Sequence, residues 1–337
     1  MADFLKILDG KTLANISATF NYEEAIKDFV GLKLLPMEKT ANLKVAMYQL
    51  LKGNDIPVIA LVHAFDSEAR VGDRPMYKEI EAQLLLIKEK INQGEELRKK
   101  IKDMGMDSTE RSILNAIYDD VANEITKVLT AFERRACELL STGKVVVDEN
   151  GAKVTIDFGF DLATNKIDFT GWSDPTHDII GDIITLRTTS KNKIVRQIVS
   201  SKIMGYILAN EKLNKIAENT NVYVTIDWAK TYIQNLTGIE MIVDDRTFKD
   251  SYASNVEHRF FDENTVISLT SRGAIGKTFM TSTPTEDANA TDYKYGNVAV
   301  HQWRTDDPYT SWTKAEGCGL PVIQDINNTL YISKITA

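Results

Sequence analysis

The stretch that most limits what this chain can become runs from about Thr109 to Thr142, together with the segment that follows it. Leu114, Tyr118, Val121, Ile125, Val128 and Phe132 recur at steps of four and three. That spacing places them on one face of a 3.6-residue helix, a face that must be covered. Asp107 and Glu110 have the spacing of a capping box at its start, and Gly143 supplies its stop. At 1.5 Å per residue the helix would be roughly 50 Å long, more than a compact domain of this size needs inside itself. It braces something extended. Beyond it, Val145 and Val147 precede the turn "DENG", and Val154, Ile156 and Phe158 alternate with Thr155 and Asp157. This is the pattern of a hairpin with one covered face, so helix and hairpin together predict an α+β core.

The 337 residues are enough for two domains with separate cores. With 43% hydrophobic and 26% charged residues the composition is that of a globular protein. No run reaches the roughly 18 apolar residues of a membrane span, and "MADFLKILDGKTLANIS" lacks the pattern of a signal peptide, so the expected place of synthesis and folding is the cytoplasm. Cys137 and Cys318 stand far apart without further ligands at metal spacing, and read as buried small side chains. A net charge of −8 argues against a protein whose main task is to grip nucleic acid, and leaves room only for weak, non-specific contact.

Taken in order, residues 1 to about 55 read as an arm that packs on other parts, with Pro36 interrupting an apolar stretch. "IPVIALVHAF" (Ile56 to Phe65) reads as a strand leading into the charged "DSEARVGDRP", a projecting loop or hairpin. From Tyr77 to about Met104, Ile80, Leu84, Ile87 and Ile91 form the stripe of a second amphipathic helix, which Gly94 bends or interrupts. Ser173, Asp174 and Pro175 give a helix-start signature and mark a domain boundary. The following residues predict a second domain of helices beside a sheet: "IVRQIVS" as a strand, Lys202 to Glu218 as one helix, "DWAKTYIQNL" as another. "GIEMIVDD", "EHRFF" and "NTVISLT" read as further strands. The closing strand, Thr329 to Ile335, is expected to return to the sheet of the first domain.

Catalytic chemistry finds little footing. "SRGAIGKTF" ends like a phosphate-binding loop at Gly276, Lys277 and Thr278, but Ser271 stands where the first glycine is needed and Pro284 follows in place of a helix. His177 lies among Asp174, Asp178 and Asp182, whose spacing suits the first turns of a helix better than a metal. Neither nucleophile–histidine pairs nor a dinucleotide fingerprint appears. No catalytic residue, cofactor or metal site is assigned.

In succession, "ERRACELLSTGKVVVDENGAKVTIDFGF", "GWSDPTHDIIGDI" and "HQWRTDDPYTSWTKAEGCGLPVIQDINNTLYISKI" resemble the lambda-type major capsid proteins of tailed phages, the capsid protein E family. The T-G-K turn, the hairpin ending in D-F-G, W-S-x-x-x-x-D, W-x-x-x-D-P and L-P before the last strand carry the resemblance, over most of the chain from about Tyr77 onward. It implies the Hong Kong 97 fold: an N-terminal arm (1–55), an extended loop (56–77), a peripheral domain with a spine helix and sheet (78–171 and 301–337), and an axial domain (172–300). It also implies a virion protein that assembles with itself into pentamers and hexamers of an icosahedral shell around double-stranded DNA. A separate scaffolding protein, a decoration protein and a portal are the further partners expected, with no membrane. The extended loop would supply intersubunit contacts through Phe65, Glu68, Arg70, Asp73 and Arg74, the arginines pairing bidentately with carboxylates of a neighbour. The alternatives are an encapsulin-like compartment of the same fold and a nucleotide-binding enzyme at Gly276 to Thr278.

Overall fold

The computed structural model describes residues 25–50, 74, 77–95, 109–191, 193–251 and 253–336. The chain begins there with a helical turn, Gly31–Leu34 (α1), and strands Met37–Lys39 (β1) and Lys44–Leu50 (β2). Strands Tyr77–Gln83 (β3) and Leu85–Gln93 (β4) precede the long helix Thr109–Thr142 (α2). Gly143 ends that helix in a left-handed conformation, φ 72°, with its N–H on the Leu139 carbonyl. The hairpin Lys144–Glu149 (β5) and Ala152–Asp157 (β6) turns through Asn150 and Gly151, both at positive φ, as a two-residue type I′ loop needs. The turn Leu162–Asn165 (α3) and strand Phe169–Thr170 (β7) follow.

Helix Ile179–Thr189 (α4) is capped by Asp178, whose side chain accepts from the Gly181 amide. After strand Arg196–Val199 (β8) come helices Ser201–Ala209 (α5), Glu211–Asn219 (α6) and Ile226–Thr237 (α7). Strands Glu240–Val243 (β9), Thr247–Phe248 (β10), His258–Arg259 (β11), Thr265–Leu269 (β12) and Lys277–Thr281 (β13) follow. The turn Pro284–Asp287 (α8) carries a complete capping box between Thr283 and Glu286. Strands Tyr293–Tyr295 (β14), Val298–Asp306 (β15) and Tyr309–Val322 (β16), the turn Ile326–Thr329 (α9) and strand Leu330–Thr336 (β17) complete the order.

The described residues fall into two compact units. The first draws on Met1–Lys44, Gln83–Cys137 and Gly276–Val322. Its sheet runs β1-β13-β16-β15-β14, with β4 also paired to β16. Cys318 and Gly319 pair with both β13 and β4, so those two strands lie on opposite edges of β16. One face of this sheet is covered by α2: Val121, Ile125, Val128, Leu129 and Phe132 pack with Met280, Val298, Val300 and Ala315. Gly317 permits the close approach, since a Cβ there would lie 2.9 Å from the Phe132 ring.

The second unit draws on Val45–Ala82, Glu138–Ile275 and Ile323–Ala337. Its main sheet is ordered β7-β17-β12-β8-β9. Ile183, Ile203, Ile207, Leu213 and Ile233 from α4 to α7 form one core with Trp172, Val199, Met241, Val266 and Tyr331. β2–β3, β5–β6 and β10–β11 are separate two-stranded ribbons.

The α+β class, the long helix, the hairpin and the closing strand stand where the pattern places them, and five expectations are corrected. The helix expected from Tyr77 to Met104 is, over 77–93, the two strands β3 and β4. Ile80 with Leu84 and Ile87 with Ile91 are four apart, a spacing that satisfies a strand as well as a helix. The parity flips at Leu84, which separates the strands, and the three-residue step this creates imitates helical spacing. Asn210 divides the helix expected over Lys202–Glu218, its side chain capping α6 through the Leu213 amide. Asp178, not Ser173 to Pro175, starts α4. The closing strand does not return to the sheet of the first unit: β17 lies between β12, antiparallel, and β7, parallel. Conversely β13, β14 and the start of β15, expected in the axial segment 172–300, belong to the first sheet. Asp107 and Ile56 to Phe65 lie outside the described residues.

Ile125 is fully buried against the sheet. Ile125→Ala should therefore lower the unfolding free energy by about 2–5 kcal/mol in urea titrations. Ile125→Pro, which also removes a helix hydrogen bond, should prevent the first unit from folding. A soluble Ile125→Pro chain with the wild-type near-UV circular dichroism would place the helix–sheet seam elsewhere.

Candidate assembly surface

Of the five residues expected to contact a neighbouring subunit, Phe65, Glu68, Arg70 and Asp73 lie outside the described residues. Arg74 is described and exposed. β2 and β3 pair with each other, and the described part of this ribbon comprises Lys44–Leu50 and Tyr77–Gln83.

The N-terminal segment is held by a residue that apolar periodicity does not single out. Glu133 of α2 is fully buried, and its carboxylate accepts three backbone amides: Val30 at 2.8 Å, Gly31 at 2.9 Å and Leu32 at 2.7 Å. These are the open donors of α1, whose own N-cap residue, Val30, has no capping side chain. Gly31 is required at the contact, because a Cβ there would lie 2.8 Å from the Ala136 Cβ. Beyond α1, the Thr278 hydroxyl donates to the Leu35 carbonyl at 2.7 Å and the Thr278 amide to the Pro36 carbonyl at 2.9 Å. β1 then runs parallel to β13. The available signal was a charge in an apolar row, since Leu129, Glu133, Ala136 and Leu140 follow helical spacing and all are buried.

Glu124 is a second such intrusion. Its side chain is buried beside Lys127 at 2.6 Å, and its Oε2 has no hydrogen-bond partner. Burial pushes its pKa above the ordinary glutamate value, against the opposing pull of Lys127. Glu316 behaves oppositely. Burial alone would raise its pKa, but hydrogen bonds from Thr285 and Lys314 hold it below the ordinary value.

In the second unit, Tyr223 stands 91% exposed between α6 and α7, with Val222 and Ile226 beside it in sequence and also exposed. Val146 and Val154 are exposed on the β5–β6 hairpin. Apolar groups of this kind are suited to burial on association.

The motifs weighed for enzyme chemistry have structural roles. Lys277 opens strand β13 and pairs with Glu38, and a Cβ at Gly276 would lie 2.1 Å from the Val322 carbonyl oxygen. No phosphate cradle forms there, which removes the nucleotide-binding alternative. Asp182 accepts from the Trp172 indole N–H and meets His177 Nε2, each at 2.7 Å, while Asp178 caps α4. No helix among the described residues is long and apolar enough to cross a membrane.

Comparison with known proteins agrees with this picture. The family described as phage major capsid protein E matches residues 12–332. No curated protein matches the sequence. Among solved structures, the putative prophage capsid protein of Escherichia coli CFT073 is similar over 96% of this chain and 98% of its own, with TM-score 0.63 and 14% identity. A phage-related protein of Bordetella bronchiseptica RB50 is similar over 96% of both chains, with TM-score 0.55 and 14% identity. The capsid protein of cyanophage A-1(L) is similar over 98% of both chains, with TM-score 0.52 and 12% identity.

Two outcomes follow from the buried carboxylates. Glu133→Ala strands three amides and should cost about 3 kcal/mol or more, with hydrogen exchange at Gly31 and Leu32 accelerated before global unfolding. Glu124 has its pKa raised on folding, so its favourable contribution is complete below the unfolded value and is lost as pH rises through the folded one. Glu124→Gln should thus raise the melting temperature at pH 7 and leave it nearly unchanged at pH 4, as read by calorimetry.

Proposed function

The chain belongs to the phage major capsid protein E family, and from that premise we propose that many copies of it build an icosahedral shell around double-stranded DNA. As a major capsid protein it is a structural component of the virion and not an enzyme. The observation that carries the reading is the family match over residues 12–332, with the Hong Kong 97 fold in its solved neighbours. The first unit, with α2 as spine and its six-stranded sheet, takes the peripheral role, and the second unit the axial one. The segment around Glu133 fits the root of an N-terminal arm, and the β2–β3 ribbon the base of an extended loop.

Identical chains meeting through unlike surfaces close into rings of five and six, and a chain of net charge −8 holds packaged DNA only weakly. Assembly draws on a separate scaffolding protein, and a decoration protein and portal complete the particle. Phe65, Glu68, Arg70, Asp73 and Arg74 supply contacts to a neighbour.

Negative-stain microscopy of the chain produced with its scaffold should show closed shells, and particles from infected or induced cells should contain nuclease-protected DNA. Shells that hold a protein cargo and no DNA would favour the encapsulin-like compartment. Arg74→Glu should reduce shell yield while leaving the subunit's melting temperature unchanged; normal particles from this variant would remove the loop contact.

A further inference from the structure

The sheet of the first unit has a second face, opposite the one covered by α2. On β4, Ile87, Glu89 and Gln93 point to the helix side: Ile87 packs into the core, Glu89 lies 3.7 Å from Lys127, and Gln93 donates to Asp120. The alternate residues Leu86, Lys88, Lys90 and Asn92 therefore face the other way, and all four are exposed. By the same alternation Trp312 and Lys314 of β16, and His301 and Trp303 of β15, share that face, since Ala315, Val298 and Val300 pack toward α2.

A row of rings crosses the strands there. Trp303 and Trp312 are direct cross-strand partners, stacked at 6.0 Å between centroids, and His301 stacks on Trp303 at 5.3 Å. Lys90 Nζ sits 4.6 Å from the centre of the Trp312 ring. Lys314 is neutralised by buried Glu316 and His301 is engaged by Asp292. Lys88 and Lys90 have no carboxylate partner among the described residues.

We infer that this face, formed by Leu86, Lys88, Lys90, Trp303 and Trp312, docks onto a second copy of this chain. The inference rests on the shell-forming function proposed above. Charge favours that occupant: the chain carries 48 carboxylate residues against 40 lysines and arginines, so a neighbouring copy brings a net negative charge toward two ammonium groups that have no carboxylate partner among the described residues. The stacked tryptophans add the large, rigid apolar area that protein interfaces concentrate near their centres. Among the described strands β4 lies at an edge, and its exposed lysines discourage strand addition, which directs the contact through the face of the sheet and not along its edge.

A thiol placed on this face reports its cover. Cys137 and Cys318 are both buried, so in a Lys88→Cys chain the introduced thiol is the accessible one. Its reaction with a maleimide should be at least roughly tenfold slower in empty shells than in free subunits, as expected for a side chain inside an interface. Equal rates, with shells forming normally, overturn the inference and leave the shell-forming function standing. Slowing confined to DNA-filled particles assigns the face to nucleic acid and also overturns it. Failure of the wild-type chain to form shells removes both. Independently, the double variant Lys88→Glu/Lys90→Glu should lower shell yield by roughly tenfold with an unchanged subunit melting temperature; an unchanged yield counts against the contact.

Discussion

A carboxylate inside the protein is tolerable only when its lone pairs are used, and Glu133 uses them on backbone that has no other partner. Val30, Gly31 and Leu32 need an acceptor because α1 begins without a capping side chain, and Glu133 needs donors because it lies in the buried row of α2. Each half is unstable without the other. From this knot the order spreads outward: Leu35 and Pro36 are fixed by Thr278, β1 by β13, and β13 by the long strand β16 that carries the rest of the sheet. Segments distant in sequence thus share one anchor on the long helix.

The same helix presses its apolar face on the sheet, and the two sets of requirements compete for its surface. Glycine at 317 leaves room for the Phe132 ring, while Glu124 intrudes with an unsatisfied oxygen. An entirely apolar seam would be the more stable choice at neutral pH. The sheet is therefore clad on one side by a helix whose fit is close at Phe132 and compromised at Glu124, while its opposite side keeps half-buried aromatic and exposed cationic groups.

Much of this was legible in the chain itself, for reasons that differ by element. The long helix could be read because its stripe continues over many turns, and the hairpin because Asn150-Gly151 specifies its turn. Strands β3 and β4 imitate a helix because their apolar residues are four apart, a distance common to both regular structures, and because a parity break at Leu84 supplies the missing step of three. Propensity strengthens the imitation, since Glu, Lys and Gln favour helix until a neighbouring strand claims them. Partner choice was the least legible: nothing local in "TLYISKIT" says that it pairs with β12 and β7. The anchor at Glu133 leaves a local mark, a glutamate standing in the buried row of Leu129, Ala136 and Leu140.

The place of β17 has a bearing on the order of events during synthesis. It is an interior strand of its sheet, with β12 on one side and β7 on the other, and it is the last of the described strands to leave the ribosome. β7 and β12 are made far earlier and cannot be bridged until residues 330–336 arrive. The first unit, likewise, waits for β16. Domains ordinarily fold one after another as they emerge, but here both units interleave along the chain, and neither can be complete until β16 and β17 have been made. A growing chain thus displays neither finished unit, so that nascent copies crowded on one message have little native surface with which to recognise each other.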